Sequence, residues 1–536
     1  MNGPRRNRAR KVRQDAAQLA FQRPHPEHLS NGDDDRYPNR IGSYSKGLPH
    51  NDAGEVDPAA YQALLDAVES TEPSAFEAIP LGDPTACPSR KGRKLVNPQS
   101  GLAFDLEGPD AQAVTMPSAP RFDSAQEASE MAEVYWMALL RDVHFDDYET
   151  DQTAAEAAAD LTRFSDYQAP KDEAGNVTPA LLFRGFTPGD LVGPYVSQFL
   201  LRDFNYGTLR VSQRQQTAMP GVDYVETPEE WLRIQNGCDP DVSRMKQLEL
   251  DADGRPVLRY VRNARDLATY VHFDALFEAY LNACLILLDA PPAEDPNNFM
   301  AAPVDPGNPY LASANQEGFG TFGPPHILSL VCEVATRALK AVWFQKWWIH
   351  RRLRPEEFGG RVQRVRTGAA DYPIHSELLD SPVLDRIQRS SGSFLLPLAF
   401  PEGSPTHPSY GSGHATVAGA CVTILKAWFD ESARIVDLFD PMTANAAGDG
   451  LEPYTGDDAG ELTVGGELNK VGSNIAIGRN MAGVHWRTDY VESFRLGERI
   501  AIGILEEQAG TYNEDFSFRL TTFDGEQVEI TSPDGG

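Results

Sequence analysis

His407-Pro408-Ser409-Tyr410-Gly411-Ser412-Gly413-His414 runs directly into the apolar segment Ala415 to Phe429, which reads as a buried helix. A helix start offers free backbone N–H groups and the positive end of the helix dipole, so it attracts anions. Gly411 and Gly413 keep side chains clear of an approaching oxyanion. Ser412 is placed to cap the helix, to donate to the anion, or to do both in turn. The stretch reads either as an oxyanion site with an acid/base histidine beside it, or as an ordinary loop-to-helix junction with structural histidines. Cations elsewhere in the chain, aimed at the same anion, decide between the two.

Composition bounds the answer. The chain has 536 residues, 41% hydrophobic and 24% charged, which suits a globular protein with a large core. Its 78 acidic and 48 basic residues give a formal charge of −30. That balance argues against nucleic acid or an anionic membrane as partner. Any anion site must therefore be a local concentration of Arg and Lys. The basic segment Met1 to Asp15 is followed by no apolar run of the secretory kind. No stretch is long and apolar enough to span a bilayer. A soluble, cytoplasmic protein is the default expectation. Of the five scattered cysteines, Cys284, Cys332 and Cys421 lie in apolar helical patterns as buried thiols. Cys87 and Cys238 sit in polar surroundings and are the pair free to form a disulfide.

The class is mainly α: a large helical-bundle domain over 121–536, an N-terminal arm over 1–120, and a small C-terminal β-hairpin. Residues 1 to about 55 show little periodicity and alone would be disordered or order only against a partner, and the first 120 or so residues read as a wrapping arm. Helices are predicted over Pro58 to Ser70, from the capping box at Ser124, over residues 152–163, over Asp190 to Phe204 and from Thr227. Longer ones follow over Ala264 to Leu288 and over Ile327 to about Leu353, the latter stopped by Pro355. After a loop come 383–390, 412–429, Leu468 to Ile477 and His485 to Gln508. A short hairpin around Asp253-Gly254 is predicted within Leu250 to Val261. The terminal hairpin is signalled by Asp524-Gly525.

The missing cations lie in two further pieces. The long helix ends Lys346-Trp-Trp-Ile-His350-Arg351-Arg352-Leu353-Arg354-Pro355. Lys346 and Arg354 stand eight residues apart, about 12 Å along an unbroken helix, within reach of one small anion. The second piece is Gly478-Arg479-Asn-Met-Ala-Gly483-Val-His485-Trp486-Arg487-Thr488-Asp489. Arg479 and His485 are predicted at a loop-to-helix junction. Asp489 lies one turn beyond His485, placed to take the ring Nδ1–H and leave Nε2 with its lone pair. Each piece alone is also an ordinary surface feature. Together, two Arg, one Lys, Ser-Gly at a helix start and two histidines make a pocket for a tetrahedral oxyanion.

The order Lys-x7-Arg-Pro, Ser-Gly-His, Arg-x5-His-x3-Asp resembles the acid phosphatase/vanadium haloperoxidase superfamily. Phosphatases of that group usually have six residues between the Lys and the Arg, where this chain has seven. His407, Phe400 to Tyr410 and His350 to Pro355 are similar to the vanadium-dependent bromoperoxidases of red algae and cyanobacteria. Gly411 and Gly478 depart from the superfamily pattern, and Gly411 is expected to loosen its loop. The resemblance implies vanadate as cofactor, bonded through vanadium(V) to His485 Nε2. Lys346, Arg354, Arg479, Ser412 and the Gly413 N–H would hold its oxygens, with Asp489 behind His485. Lys346 would also polarise bound peroxide, His414 would act as general acid/base, and His407 would line the halide approach. The implied reaction oxidises bromide and iodide with hydrogen peroxide to hypohalous acid, which halogenates small organic acceptors. The competing reading is an acid phosphatase-like phosphomonoester hydrolase using the same pocket. The family further implies homodimer-based large homo-oligomers, up to a dodecamer, and structural calcium, for which the 294–320 loop is the candidate.

Overall fold

The Gly413–Trp428 helix is buried at every residue except His414, as its uninterrupted apolar sequence requires. It packs against the Arg487–Ala509, Pro324–Phe344 and Val464–Met481 helices in a computed structural model that describes residues 2–240, 247–290 and 302–532. Two glycines set its distance from the 487–509 helix. A methyl group on Gly419 would lie 2.1 Å from Phe494 O, and one on Gly497 would lie 2.0 Å from Thr416 O. Backbone therefore meets backbone across this pair, and the start of the 413–428 helix is fixed against the body behind it. Among the described residues strands occur only as antiparallel pairs, including the expected terminal hairpin of Ser517–Thr521 with Gln527–Thr531.

Several elements differ from the sequence expectation, and two of the differences shape the site. The expected single helix over Ala264 to Leu288 is two helices, Ala264–Phe273 and Glu278–Leu288, bent by 99°. Asp274 leaves the helical path with extended backbone, and the Glu278 carboxylate accepts from Ala275 N–H at 3.0 Å. The helix from Pro324 ends at Phe344 and widens into a π-turn over Gln345–His350. Pro355 does not merely stop that helix. It opens another, Pro355–Arg366, at the first position, where its missing N–H does no harm. Asp190 to Phe204 is not a helix. Positive φ at Gly189 and Gly193 and the following Pro194 leave one short turn at Gln198–Leu200, and Phe204–Tyr206 pairs with Leu209–Val211. The Asp253-Gly254 turn forms, but Leu258–Arg259 pairs with Gln215–Gln216.

In the N-terminal region, Asn2–Gln22 is a helix exposed along most of its length, whereas residues 41–48 are buried throughout. Lys46 Nζ reaches Glu356 at 2.7 Å. Cys87 and Cys238 form a disulfide spanning 151 residues, which ties this region to the helical body. Disulfides belong to oxidising compartments, so the cross-link counts against a cytoplasmic setting. Among the described residues no single helix is long and apolar enough to cross a membrane. The loop expected to bind calcium lies partly outside the described residues, and the described ones form no cluster of three or more metal-ligating side chains.

Candidate active site

The π-turn brings the first two cations together. Arg351 N–H donates to Lys346 O at 3.0 Å, a bond across five residues, and Arg351 takes φ of 40°. Such wide turns hold an extra residue and recur at functional sites. Here the widening serves the seven-residue spacing. Lys346 Nζ donates to the carbonyls of Pro408 (2.8 Å) and Ser409 (3.0 Å). Arg354 donates to the carbonyl of His407 through Nε (3.0 Å) and Nη2 (2.8 Å). Three successive carbonyls of the opening stretch thus face the two cations.

Arg354 also defines the histidines. Its Nη1 donates to His485 Nε2 at 2.8 Å, and its Nη2 to His407 Nδ1 at 2.9 Å. Guanidinium has no acceptor, so both ring atoms present lone pairs. On the other side of His485, Nδ1–H donates to Asp489 Oδ2 at 2.7 Å. Asp489 in turn accepts from the Ser409 hydroxyl, from Trp486 N–H at 3.2 Å and from Arg352 at 3.0 Å. The tautomer of His485 is thereby fixed, with Nε2 facing the cations. Burial, aided by Arg354 and Lys346, holds the His485 and His407 imidazoles well below their usual pKa, so both are neutral.

Arg479 lies in the last turn of the Val464–Met481 helix, not at its predicted loop junction. Its Nη1 donates to Val271 O at 2.7 Å, its guanidinium lies 5.5 Å from the Phe400 ring, and its buried Nε has no partner. Ser412 caps the central helix, accepting from Ala415 N–H at 3.4 Å, and its own N–H donates to Ser493 Oγ at 2.7 Å. Gly413 leaves room for Trp343, whose ring would lie 3.1 Å from an added methyl group. Gly411 does not loosen the loop. A side-chain carbon there would fall 2.1 Å from Ser493 Oγ, so the residue is tightly packed. His414 is the most exposed of the three site histidines, and its Nε2 meets Asp274 Oδ1 at 3.2 Å. The His407 ring packs against Trp343 at 4.8 Å.

The charge pattern separates this cluster from the rest of the core. Among the described residues most other buried cations have carboxylates, such as Lys470 with Glu467 at 2.6 Å, Arg265 with Asp142 at 2.6 Å, Arg352 with Glu130 at 3.0 Å and Arg487 with Glu133 at 2.9 Å. Arg361, the exception, bonds Gly54 O and lies 5.9 Å from the centre of each of the Trp231 and Tyr372 rings. Among the described residues, Lys346, Arg354 and Arg479 form no ion pair with any carboxylate and bond carbonyls or imidazole instead. Burial lowers Arg354 and Arg479 to about 10, and holds Lys346 well below its usual value with help from Arg354. Three desolvated positive charges around a neutral imidazole lone pair, one with an orphaned Nε, fit a small multiply charged oxyanion.

Comparison with known proteins shows the family. The chain is 40% identical to a vanadium-dependent bromoperoxidase of Corallina officinalis, covering 96% of this chain and 94% of that one. It is 39% identical to that of Corallina pilulifera, covering 96% of each. The chain belongs to the vanadium-dependent bromoperoxidase family. A family model described as the VCPO second helical-bundle domain matches residues 388–513 of this bromoperoxidase-family chain. The homohexameric structure of the second vanadate-dependent bromoperoxidase from Ascophyllum nodosum superposes with a TM-score of 0.88 at 32% identity, covering 98% of this chain and 90% of that one.

Sequence reasoning missed three members of this haloperoxidase site. Asp274 was hidden inside what reads as one continuous helix. Ser409 was in the opening stretch, but nothing local reveals its bond to Asp489. Arg352 was quoted within the basic run, while its carboxylate partners Glu127, Glu130 and Asp489 come from distant segments.

Proposed function

We propose that this pocket holds vanadate and that the enzyme oxidises bromide and iodide with hydrogen peroxide to hypohalous acid, which halogenates small organic acceptors. The observation carrying this reading is the set of buried cations without carboxylate partners around the lone pair of His485 Nε2. When bound, vanadate supplies a Lewis-acid centre that activates peroxide without a change of metal oxidation state. His485 Nε2 is the protein's ligand to it, and Asp489 keeps the Nδ1–H in place so that the lone pair stays available. Lys346, Arg354 and Arg479 balance the oxyanion's charge, with the Ser412 hydroxyl and Gly413 N–H at the helix start as further donors. Lys346 also polarises the peroxide. His414, held by Asp274, takes up and returns the proton. His407 and Trp343 line the path of the halide.

The bromoperoxidase from Ascophyllum nodosum named above is a homohexamer. For this chain we propose a homo-oligomer built from dimers, with residues 1–120 as the subunit-contacting extension of a 121–536 catalytic domain. Truncation of that extension followed by sizing chromatography tests it. Calcium in the 294–320 loop is the remaining part of the reading, tested by metal analysis of dialysed protein.

The deciding assay is bromination of a phenol dye by purified protein with bromide and peroxide, with and without orthovanadate. Vanadate-dependent bromination suppressed by phosphate supports the proposal. Hydrolysis of a phosphate monoester, inhibited by vanadate and without bromination, overturns it in favour of the phosphatase reading.

A further inference from the structure

Arg479 is the least tethered of the three cations, with one hydrogen bond, to Val271 O, and an orphaned Nε. What stands beside it is a layered arrangement from two other segments. The guanidinium lies 5.5 Å from the centre of the Phe400 ring. The imidazole of His272 stacks on Phe400 at 3.7 Å and 18°. His272 Nε2 meets Glu402 Oε1 at 2.6 Å. His272 directly follows Val271, whose carbonyl takes the Arg479 hydrogen bond, so one turn of helix supplies both the bond and the stacked ring. Glu402 is fixed from behind: its carbonyl accepts from Lys46 Nζ at 3.0 Å and from Arg93 Nη1 at 3.1 Å. None of these residues belongs to the oxyanion cradle itself.

We infer that His272, Phe400 and Glu402 form a positioning stack that holds the Arg479 guanidinium against the oxyanion, making His272 a positioning residue for anion affinity. The physical reason is a division of labour. A guanidinium with one hydrogen bond swings about its long side chain, and attraction to an aromatic ring within about 6 Å restricts that motion. The His272 imidazole stacks on Phe400 and is held in rotation by the Glu402 carboxylate. The carboxylate also lies near enough to stabilise the Arg479 charge at a distance, as does Asp274. The stack thus supplies restraint without a direct ion pair, which would neutralise the cation that the anion requires. Lys46 and Arg93 extend this support into the N-terminal region.

The inference rests on the oxyanion reading of the pocket, and the test keeps the two apart. Binding of inorganic phosphate and of orthovanadate is measured by calorimetry on the full chain, for wild type, His272→Ala, His272→Phe, Arg479→Met and the His272→Ala/Arg479→Met pair. Absence of any anion binding by the wild type would sink the oxyanion reading. With wild-type binding in hand, His272→Ala is expected to weaken affinity about tenfold, and His272→Phe, which keeps a ring on Phe400, about threefold. In the Arg479→Met background the added His272→Ala change is expected to alter affinity less than twofold, because the residue it positions is gone. The inference is overturned if His272→Ala binds both anions within twofold of wild type. It is equally overturned if the tenfold loss persists without Arg479, which would mark a general structural defect. Should His272→Ala fail to fold, Glu402→Gln carries the same cycle with the same expectations, at about fivefold.

Discussion

Replacing Arg479 with methionine should stabilise the anion-free protein while abolishing most of its response to anions. Arg479 is 7% exposed, and burial is the first cause that lowers its guanidinium to about 10. At about 1.4 kcal/mol per tenfold, that corresponds to about 3 kcal/mol against the charged form at neutral pH. This penalty is present below pH 10 and is relieved as pH rises from the folded value toward the unfolded one. Methionine fills similar volume without the charge. It forgoes the Val271 bond and the Phe400 contact, together about 1–2 kcal/mol, leaving a net gain of about 1–2 kcal/mol. With 536 residues and about 2.1 cal/mol/K of unfolding entropy per residue, each kcal/mol moves Tm by about 1 °C. Scanning calorimetry should therefore show a rise of about 1–2 °C without anion. Phosphate or vanadate at a hundred times its Kd should raise the wild-type Tm by about 2–3 °C, from about 2.7 kcal/mol of linkage. At the same concentration the variant, lacking a charge-assisted contact of about 1.5–3 kcal/mol, should gain less than about 1.5 °C. A variant that melts lower without anion yet keeps the full anion-induced rise would refute the assignment of Arg479 to the cradle.

Asp489→Asn should weaken vanadate binding about 10- to 100-fold by calorimetry, because the amide no longer enforces the Nδ1–H tautomer of His485; unchanged affinity would mean that Asp489 serves only Arg352. Nitrogen NMR of the histidines should show His485 and His407 still neutral at pH 6, since burial and the adjoining cations lower both, and His485 should carry its proton on Nδ1. Titration of either near pH 6.5 would contradict the buried cationic pocket. Cys87→Ser should lower Tm by about 4–5 °C, as removal of a cross-link over 151 residues returns about 5 kcal/mol of chain entropy to the unfolded state; reduction of the wild type by thiol should reproduce the shift.

Much of the site was legible because its chemistry resides in residue types that have few other uses in a core. Lys346, Arg354, Ser412, His414, Arg479 and His485 each carry a charge, a cap or a lone pair next to an apolar run, and folding brings Arg354, His407 and His485 into contact. The i,i+4 relation of His485 and Asp489 was readable from helical geometry alone. Less legible were groups whose role depends on a distant partner. Asp274 serves the site only because the chain bends by 99° beside it. Pro355 reads from the sequence only as a stop, whereas it opens a helix in which the Arg354 N–H is capped by Glu357 at 2.8 Å, a contact that depends on the chain beyond it. The helix predicted over Asp190 to Phe204 failed because its apolar spacing was outweighed by two glycines with positive φ and a proline.

By itself the sequence determined the mainly α class and the central buried helix and marked the residue types of the candidate oxyanion cradle, because periodicity and residue type are local properties of a chain. Tertiary structure decided which cations go without a carboxylate, which nitrogen of each histidine bears its lone pair, and what supports Arg479. Those depend on which groups segments far apart in sequence bring within hydrogen-bonding distance. The opening stretch illustrates the difference: its Ser412 cap was evident from the residues, whereas the use of its carbonyls by Lys346 and Arg354 required the π-turn some sixty residues earlier to place them.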